Sequence, residues 1–250
     1  MSIRHPLVLA ALAVAAPSAG GAQAAPRAPA APGRPVPLER VGAQLAPGRW
    51  TYAARATMNG QTQDVGTRVL TLSRRTPGWL IVLEEQNPMA TSTDSLLLQP
   101  DLRAERRAVR AQTPQGPATL SLAFSADSII GSFQAGGQSQ PLRVANPRQA
   151  AASDAVIMLA LGKLPLATGW QGSLDLLNIQ NGGIIPLALR VLRSESVTVK
   201  AGTFDAWVVE ASAGPSQTTF WVAKGGPVVR VVATLPQAAG AQIETALTGM

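Results

Sequence analysis

Side chains that activate nucleophiles or bind zinc are nearly absent from this chain. It has a single histidine, His5, and no cysteine. Histidine is the usual base beside a serine or cysteine nucleophile, and histidine and cysteine are the usual zinc ligands. His5 also lies in an N-terminal segment that we expect to be removed. The sequence therefore predicts a protein that is not an enzyme, with no catalytic residue, metal or cofactor.

Carboxylates are the remaining residues that could do chemistry, because two of them suffice for a glycosidase. Glu84 and Glu85 are adjacent in a predicted strand, so their side chains point to opposite faces. Asp64, Asp94 and Asp127 lie in or beside predicted turns, where aspartate is usually solvated. Their spacing defines no pair. A hydrolase that uses carboxylates alone is therefore the third hypothesis for this chain.

Basic residues outnumber acidic ones, 21 to 14. The densest group is Arg103, Arg106, Arg107 and Arg110. On a helix these four would share one face, whereas on a strand they divide between two. The flanking pattern predicts a solvated basic strand, and contact with an anionic lipid or polysaccharide surface is the alternative. Because no aromatic platform accompanies the arginines, nucleic acid is not an expected partner.

Residues 1–24 have the three-part pattern of a cleaved signal peptide. A basic start at Arg4 precedes an apolar run over residues 7–16, and small residues end at Ala24. We expect cleavage before Ala25 and a soluble product in the periplasm. The apolar run is about ten residues, against about 20 for a spanning helix, so the chain is not expected to span the membrane. A lipoprotein would need a cysteine after the signal, and there is none.

Two further parts follow the signal peptide. Residues 25–46 are rich in proline and alanine, which favours an extended linker that does not pair in a sheet. Residues 47–250 are predicted to form a single β-rich domain. That length is sufficient to bury a core without the help of disulfides.

Alternation of apolar and polar residues predicts antiparallel strands from Trp50 onward. Asn59-Gly60 is the strongest two-residue hairpin signal, and it separates a strand ending at Met58 from one that includes residues 67–74. Similar strands separated by short polar turns recur along the chain. This pattern predicts a mostly β fold, either a curved antiparallel sheet or an open barrel or sandwich.

Residues 151–162 break the strand pattern and predict a helix. Ser153 or Asp154 can cap its start, and Gly162 can end it. Its apolar residues lie nearly all round: Val156, Ile157, Leu159 and Leu161. Such helices are usually buried, so we expect one buried helix that packs in the core. A movable lid over an apolar cavity is the alternative.

The most specific pattern lies in the C-terminal part. A valine-rich strand leads into Ala201-Gly202-Thr203-Phe204-Asp205, followed by a strand with Trp207, an aromatic strand with Phe220 and Trp221, and a basic strand near Arg230. This succession resembles an uncharacterised family of exported Gram-negative proteins, a domain of unknown function. The resemblance is tight over residues 190–235 and loose over 50–180.

The resemblance implies a curved antiparallel sheet, distantly similar to that of periplasmic lipoprotein carriers, which wrap an apolar concavity around lipid chains. It implies no activity and no catalytic residue. Within the shared motif, Gly202 fits a tight turn and Asp205 lies beside that turn, so both residues are predicted to be structural.

The preferred hypothesis is a non-enzymatic periplasmic protein that binds an apolar or amphiphilic, lipid-like ligand in a curved β-sheet. The alternative is a structural or assembly factor that contacts proteins of the cell envelope. The residues expected to line a ligand cavity are Ile157, Leu159, Trp207, Phe220 and Trp221.

Overall fold

A computed structural model describes residues 35–36, 38–146, 150–179, 183–213, 216–235 and 241–250. Within them the chain forms two helices, α1 (Leu38–Gly42) and α2 (Asp154–Leu161), and fourteen strands. The strands are β1 (Gly48–Met58), β2 (Gln61–Arg74), β3 (Trp79–Asn87), β4 (Ala90–Leu98), β5 (Ala104–Thr113), β6 (Gly116–Phe124), β7 (Ser128–Ala135), β8 (Gln138–Ala145), β9 (Gln171–Asn178), β10 (Gly183–Val199), β11 (Gly202–Ala213), β12 (Ser216–Ala223), β13 (Val228–Leu235) and β14 (Ala241–Gly249).

All fourteen strands belong to one sheet, in the order β8-β7-β6-β5-β4-β3-β2-β1-β14-β13-β12-β11-β10-β9. Consecutive strands pair with each other from β1 to β8 and from β9 to β14. Strand β1 also pairs with β14, and β8 and β9 are the two edge strands of the sheet. The predicted mostly β fold with an antiparallel sheet is confirmed. Asn59 and Gly60 both have positive φ, 52° and 77°, as the predicted hairpin turn between β1 and β2 requires.

The two ends of the sheet overlap instead of pairing. Leu177 on β9 and Ile184 on β10 are opposite each other, and they pack with residues of the inner face of β5–β8. We call this group the overlap cluster, and its buried members are Val109, Leu120, Leu122, Ile129, Val144 and Leu177. The alternate residues of the same two strands, including Leu176 and Leu187, pack in the main core with α2. The end of the β9–β10 ribbon around Leu176 and Leu177 is therefore buried on both faces, and the sheet is rolled but open.

Helix α2 is an element of the core, which is the arrangement that its apolar sequence favours. Every residue from Ala155 to Leu161 is buried. Ser153 occupies the N-cap position without a side-chain hydrogen bond, and Gly162 ends the helix with its N–H directed at the carbonyl oxygens of Met158 and Ala160. None of the helices in the described part of the chain is long and apolar enough to cross a membrane.

The folded body begins before residue 47, within the segment assigned to a linker. The backbone N–H of Val36 donates to the carbonyl oxygen of Ser173 at 2.8 Å, beside the outer edge of β9. Val41 lies in α1 and Leu45 lies three residues after the end of α1, and both are buried in the main core. These two apolar side chains dock the segment despite the prolines that precede it. The predicted signal peptide, residues 1–24, lies outside the described residues.

Candidate functional site

A cavity of about 610 Å³ lies on the concave face of the sheet. Its walls come from strands β1–β3 on one side and β12–β14 on the other, and α2 contributes Asp154 and Met158. One wall of the cavity is a row of paired residues on β1, β14, β13 and β12. In this row Ala54 is opposite Thr245, Thr245 is opposite Val231, and Val231 is opposite Phe220. Directly opposite residues in antiparallel strands share a face, so all four side chains point inward.

Small and apolar side chains dominate this wall. Ala56 and Ala233 join Ala54 in the lining, where larger residues would fill the space, and Ile243 lies between them on β14. The hydroxyl of Ser216 at the edge of the lining is buried and finds no hydrogen-bond partner among the described residues. The wall therefore offers apolar surface with a few polar contacts, which is the usual make-up of a ligand pocket.

Three charged side chains from different elements form what we call the charged floor: Arg68 on β2, Glu85 on β3 and Asp154 on α2. Arg68 Nη2 donates to Asp154 Oδ2 at 2.7 Å, and Arg68 Nε lies 2.5 Å from Glu85 Oε1. Their side chains are only 17%, 14% and 13% exposed. All three border the cavity. A ligand in the cavity would thus meet a partly desolvated ion-pair network.

Burial and the neighbouring opposite charges shift the pKa values of these groups in opposite directions. Burial raises the pKa of Glu85, and the nearby Arg68 only partly offsets this. Burial also pushes the pKa of Asp154 upward, but the charge and hydrogen bond of Arg68 outweigh it, so the pKa is lowered. The pKa of Arg68 is raised, because Asp154 and Glu85 outweigh its burial. Arg68 and Asp154 are therefore fixed as ions, and Glu85 is the more easily protonated of the two carboxyl groups in the charged floor.

A second ion pair lies behind the floor. Arg107 on β5 donates to both carboxylate oxygens of Asp94 on β4, at 2.7–3.1 Å, and its Nη1 donates to the carbonyl oxygen of Ala152 at 2.6 Å. Asp94 and Arg107 are 6% and 7% exposed. The prediction that Asp94 is solvated in a turn is wrong, because it lies inside a strand on the concave face. Burial raises the pKa of Asp94, although Arg107 opposes this.

The basic strand is confirmed only in part. Arg106 and Arg110 on β5 are exposed, but Arg107 points to the concave face, where Asp94 compensates its charge. Alternation along a strand explains the division, since residues one apart in sequence face opposite sides.

Of the five residues predicted to line a cavity, Phe220 does so. Ile157 and Leu159 are buried in the core on α2, and their neighbour Met158 is the one that reaches the cavity. Trp221 lies on the other face of β12 from Phe220. Its indole N–H donates to Glu195 at 2.6 Å.

Trp207 likewise lies outside the cavity lining. It is half-buried, and the Nζ atom of Lys224 lies 4.9 Å from the centre of its ring. The guanidinium of Arg230 stacks on Trp221 in the same way, at 4.7 Å. Both indoles thus pair with cations, Trp207 as a half-buried side chain and Trp221 as a buried one.

The charged floor was not among the predicted site residues, although the sequence carries a signal for it. Arg68 continues the inward-facing series of Leu70 and Leu72, and Glu85 continues that of Ile81 and Leu83. A charged residue in step with the buried face of a strand marks an interior polar group. In the described residues, no group of three or more acidic or histidine side chains could hold a metal ion.

This rolled, open sheet with an internal cavity defines a β-barrel-like protein. The profile of DUF3108, described as a protein of unknown function, matches residues 44–246, and the chain belongs to this family. The predicted membership in an uncharacterised family is thereby confirmed. Among curated proteins, none matches this chain.

Solved structures extend the comparison to the fold. The crystal structure of a β-barrel-like DUF1849 protein from Brucella abortus has a TM-score of 0.52 and 8% identity, covering 83% of this chain and 98% of that one. A candidate lipoprotein from Parabacteroides distasonis has a TM-score of 0.31 and 11% identity over 82% of this chain and 95% of that one. The first likeness concerns the fold alone, and the second is too slight to carry an argument.

Proposed function

We propose that this chain is a non-enzymatic periplasmic protein that binds an apolar or amphiphilic, lipid-like ligand inside its curved sheet. The observation that carries the proposal is the cavity of about 610 Å³ with apolar walls and a charged floor. Ligand pockets typically measure about 300–1,000 Å³ and combine apolar walls with a few placed polar groups. The cavity fits this description in both size and lining.

The shape of the lining favours an elongated amphiphile over a compact polar ligand. The row from Ala54 to Phe220 crosses four strands and presents mainly carbon atoms. The largely buried charged groups of the lining are Arg68, Glu85 and Asp154, on the α2 side of the cavity. A molecule with an apolar chain and one polar end would contact both parts at once.

The N-terminal sequence supports the periplasmic assignment. A basic start, a short apolar run and small residues before Ala25 are features of a secretory signal peptide. Periplasmic proteins that carry amphiphiles must shield apolar chains from water, and an internal cavity provides that shielding.

The test is displacement of a neutral fluorescent probe, N-phenyl-1-naphthylamine, combined with native mass spectrometry of protein purified from the periplasm. Ala54→Phe places a large ring inside the cavity, whereas Ala53→Phe places the same ring on the opposite face of the same strand. We expect probe binding to fall at least about tenfold in Ala54→Phe, the scale set by losing part of the apolar contact. The Ala53→Phe control should bind as the original protein does.

A co-purified lipid mass that disappears in Ala54→Phe alone would support the proposal. Equal probe binding by both variants, or no probe binding and a bare protein mass, would contradict it.

The alternative function, an assembly factor that contacts envelope proteins, has one supporting feature. Strand β8 pairs with β7 on one side, and Gln138, Ser139, Gln140 and Pro141 at its start are exposed. Exposed sheet edges can accept a strand from a partner, although proline on an edge weakens such pairing. Capture of an envelope protein that is lost on a charge substitution at Ser139 would favour this alternative.

A further inference from the structure

The charge balance beneath the cavity is uneven. Arg68 and Arg107 supply two positive charges, whereas Glu85, Asp94 and Asp154 supply three negative charges. All five side chains are largely buried. An uncompensated buried charge is strongly unfavourable, so the interior gains from binding one further positive charge.

The excess negative charge is not shared equally among the three carboxylates. Asp94 receives three hydrogen bonds from Arg107. Asp154 lies in the first turn of α2, where the helix N-terminus favours a negative charge, and it accepts a hydrogen bond from Arg68. Glu85 has the weakest compensation, because Arg68 Nε, 2.5 Å from its Oε1, is not in hydrogen-bonding geometry, and the Ser92 hydroxyl donates to it at 3.5 Å.

Glu85 is also placed where a ligand can reach it. It borders the cavity together with Arg68 and Asp154, whereas Asp94 and Arg107 lie behind them and do not border it. The groups that face Glu85 are Arg68 from β2, Ser92 and Asp94 from β4, and Asp154 from α2. Only one of these four is a cation, and it is already held by Asp154.

We propose that the cavity selects an amphiphile whose polar head is a protonated amine, with the ammonium group beside Glu85 and the apolar chain along the wall of Ala54 and Val231. This inference rests on the proposed function and adds the chemistry of the head. An ammonium group supplies the missing positive charge and three hydrogen-bond donors to a carboxylate. An anionic head would instead add a fourth negative charge next to guanidinium groups that carboxylates already occupy.

Three probes of equal chain length separate the effect of the head group from that of the apolar chain. They are decylammonium, decanol and decanoate, each displacing N-phenyl-1-naphthylamine at neutral pH. The expected order of affinity is decylammonium, then decanol, then decanoate. We expect about a tenfold preference for decylammonium over decanol, the scale of one hydrogen bond to a charged group. Glu85→Gln should reduce this preference to within about twofold.

The matched control is Glu84→Gln, which removes the same charge from the neighbouring exposed position on β3 and should keep the preference. A second measurement uses the unaltered protein. The preference for decylammonium over decanol should weaken as the pH falls and Glu85 takes up a proton. This series tests the inference even if Glu85→Gln fails to fold.

The outcomes are distinct. Decanoate binding tighter than decanol would overturn the inference and assign head recognition to Arg68. Equal binding of the three probes would overturn it while leaving the proposed function intact. Failure of every probe to bind would overturn the proposed function as well.

Discussion

Two regions of one sheet use the same alternation of inward and outward residues and reach opposite results. In the overlap cluster, Leu120, Leu122 and Ile129 meet Leu177 and the packed β9–β10 ribbon, so the interior is full. Across the cavity, inward-facing alanines and charged residues meet no second layer of sheet, so space remains. Rolling the sheet over itself therefore fills one end of the interior and leaves a cavity at the other.

The side chains differ in the way that this explanation requires. Leucine and isoleucine dominate the overlap cluster, and removing any of them would open a void in close-packed surroundings. Ala54, Ala56 and Ala233 in the cavity wall contribute little volume. We therefore expect the overlap cluster and the main core to contribute more to stability than the cavity wall, where these small side chains leave open space.

Helix α2 borders the cavity and belongs to the main core. A charge on its buried face therefore tests whether α2 and the sheet unfold together. Ile157 is 1% exposed. Ile157→Asp should cost more than about 4 kcal/mol and unfold the whole domain in a single transition, because an unpaired carboxylate would be buried. Circular dichroism during urea unfolding measures this. Loss of probe binding with the β signal retained would instead show that α2 is a movable lid.

The ion pair behind the floor should be the next most sensitive feature. Arg107→Ala leaves Asp94 buried without its partner and removes the donor to the Ala152 carbonyl oxygen. We expect a loss of about 3–5 kcal/mol, measured by chemical denaturation. Arg106→Ala, on the exposed face of the same strand, should change stability by no more than about 0.5 kcal/mol. Similar effects for both variants would mean that the buried pair is dispensable.

The same substitution, leucine to alanine, should have different costs in the overlap cluster and in the cavity wall. Leu120 is 4% exposed in the overlap cluster, and Leu120→Ala should cost about 3 kcal/mol through lost contact and a new void. Leu235 is half-buried at the cavity, so Leu235→Ala should cost about 1 kcal/mol, because part of its surface already faces open space. Equal losses would show that the cavity wall is as tightly packed as the overlap cluster.

The smallest expected effect is a pH-dependent gain from Glu85→Gln. Because burial raises the pKa of Glu85 in the folded state, the unfolded chain releases its proton first as the pH rises. Folding stability contributed by this group is therefore full below the ordinary glutamate pKa of 4.5 and declines above it. Glutamine imitates the protonated form of Glu85. The free energy of unfolding of the variant should therefore increase relative to that of the original protein as the pH rises from about 4 to 7, by up to about 1 kcal/mol.

Urea midpoints at several pH values provide the measurement for this last expectation. Asp154 contributes the opposite slope, since its pKa is lowered and its stabilisation is lost as the pH falls. Taking the difference between Glu85→Gln and the original protein removes the part of the Asp154 contribution that is common to both. A difference that shrinks with rising pH would contradict the assignment of Glu85 as the undercompensated carboxyl group.

Local patterns were sufficient to predict much of the architecture. Alternating apolar residues and the Asn59-Gly60 turn predicted the strands, and the run at residues 151–162 predicted α2. These features depend on periodicity and turn geometry, which act between neighbours in sequence. The segment from Val36 to Leu45 was assigned to a linker because its docking depends on distant partners, Ser173 and the main core.

The amino-acid pattern is sufficient to predict a mostly β protein with one apolar helix, because backbone geometry and the periodicity of apolar residues are local properties. The residues that form the site are set by long-range packing. Arg68, Glu85 and Asp154 are far apart in sequence, and they meet because sheet register and the packing of α2 bring three elements together. The position of the cavity also depends on where the two ends of the sheet overlap, and no local pattern encodes that contact.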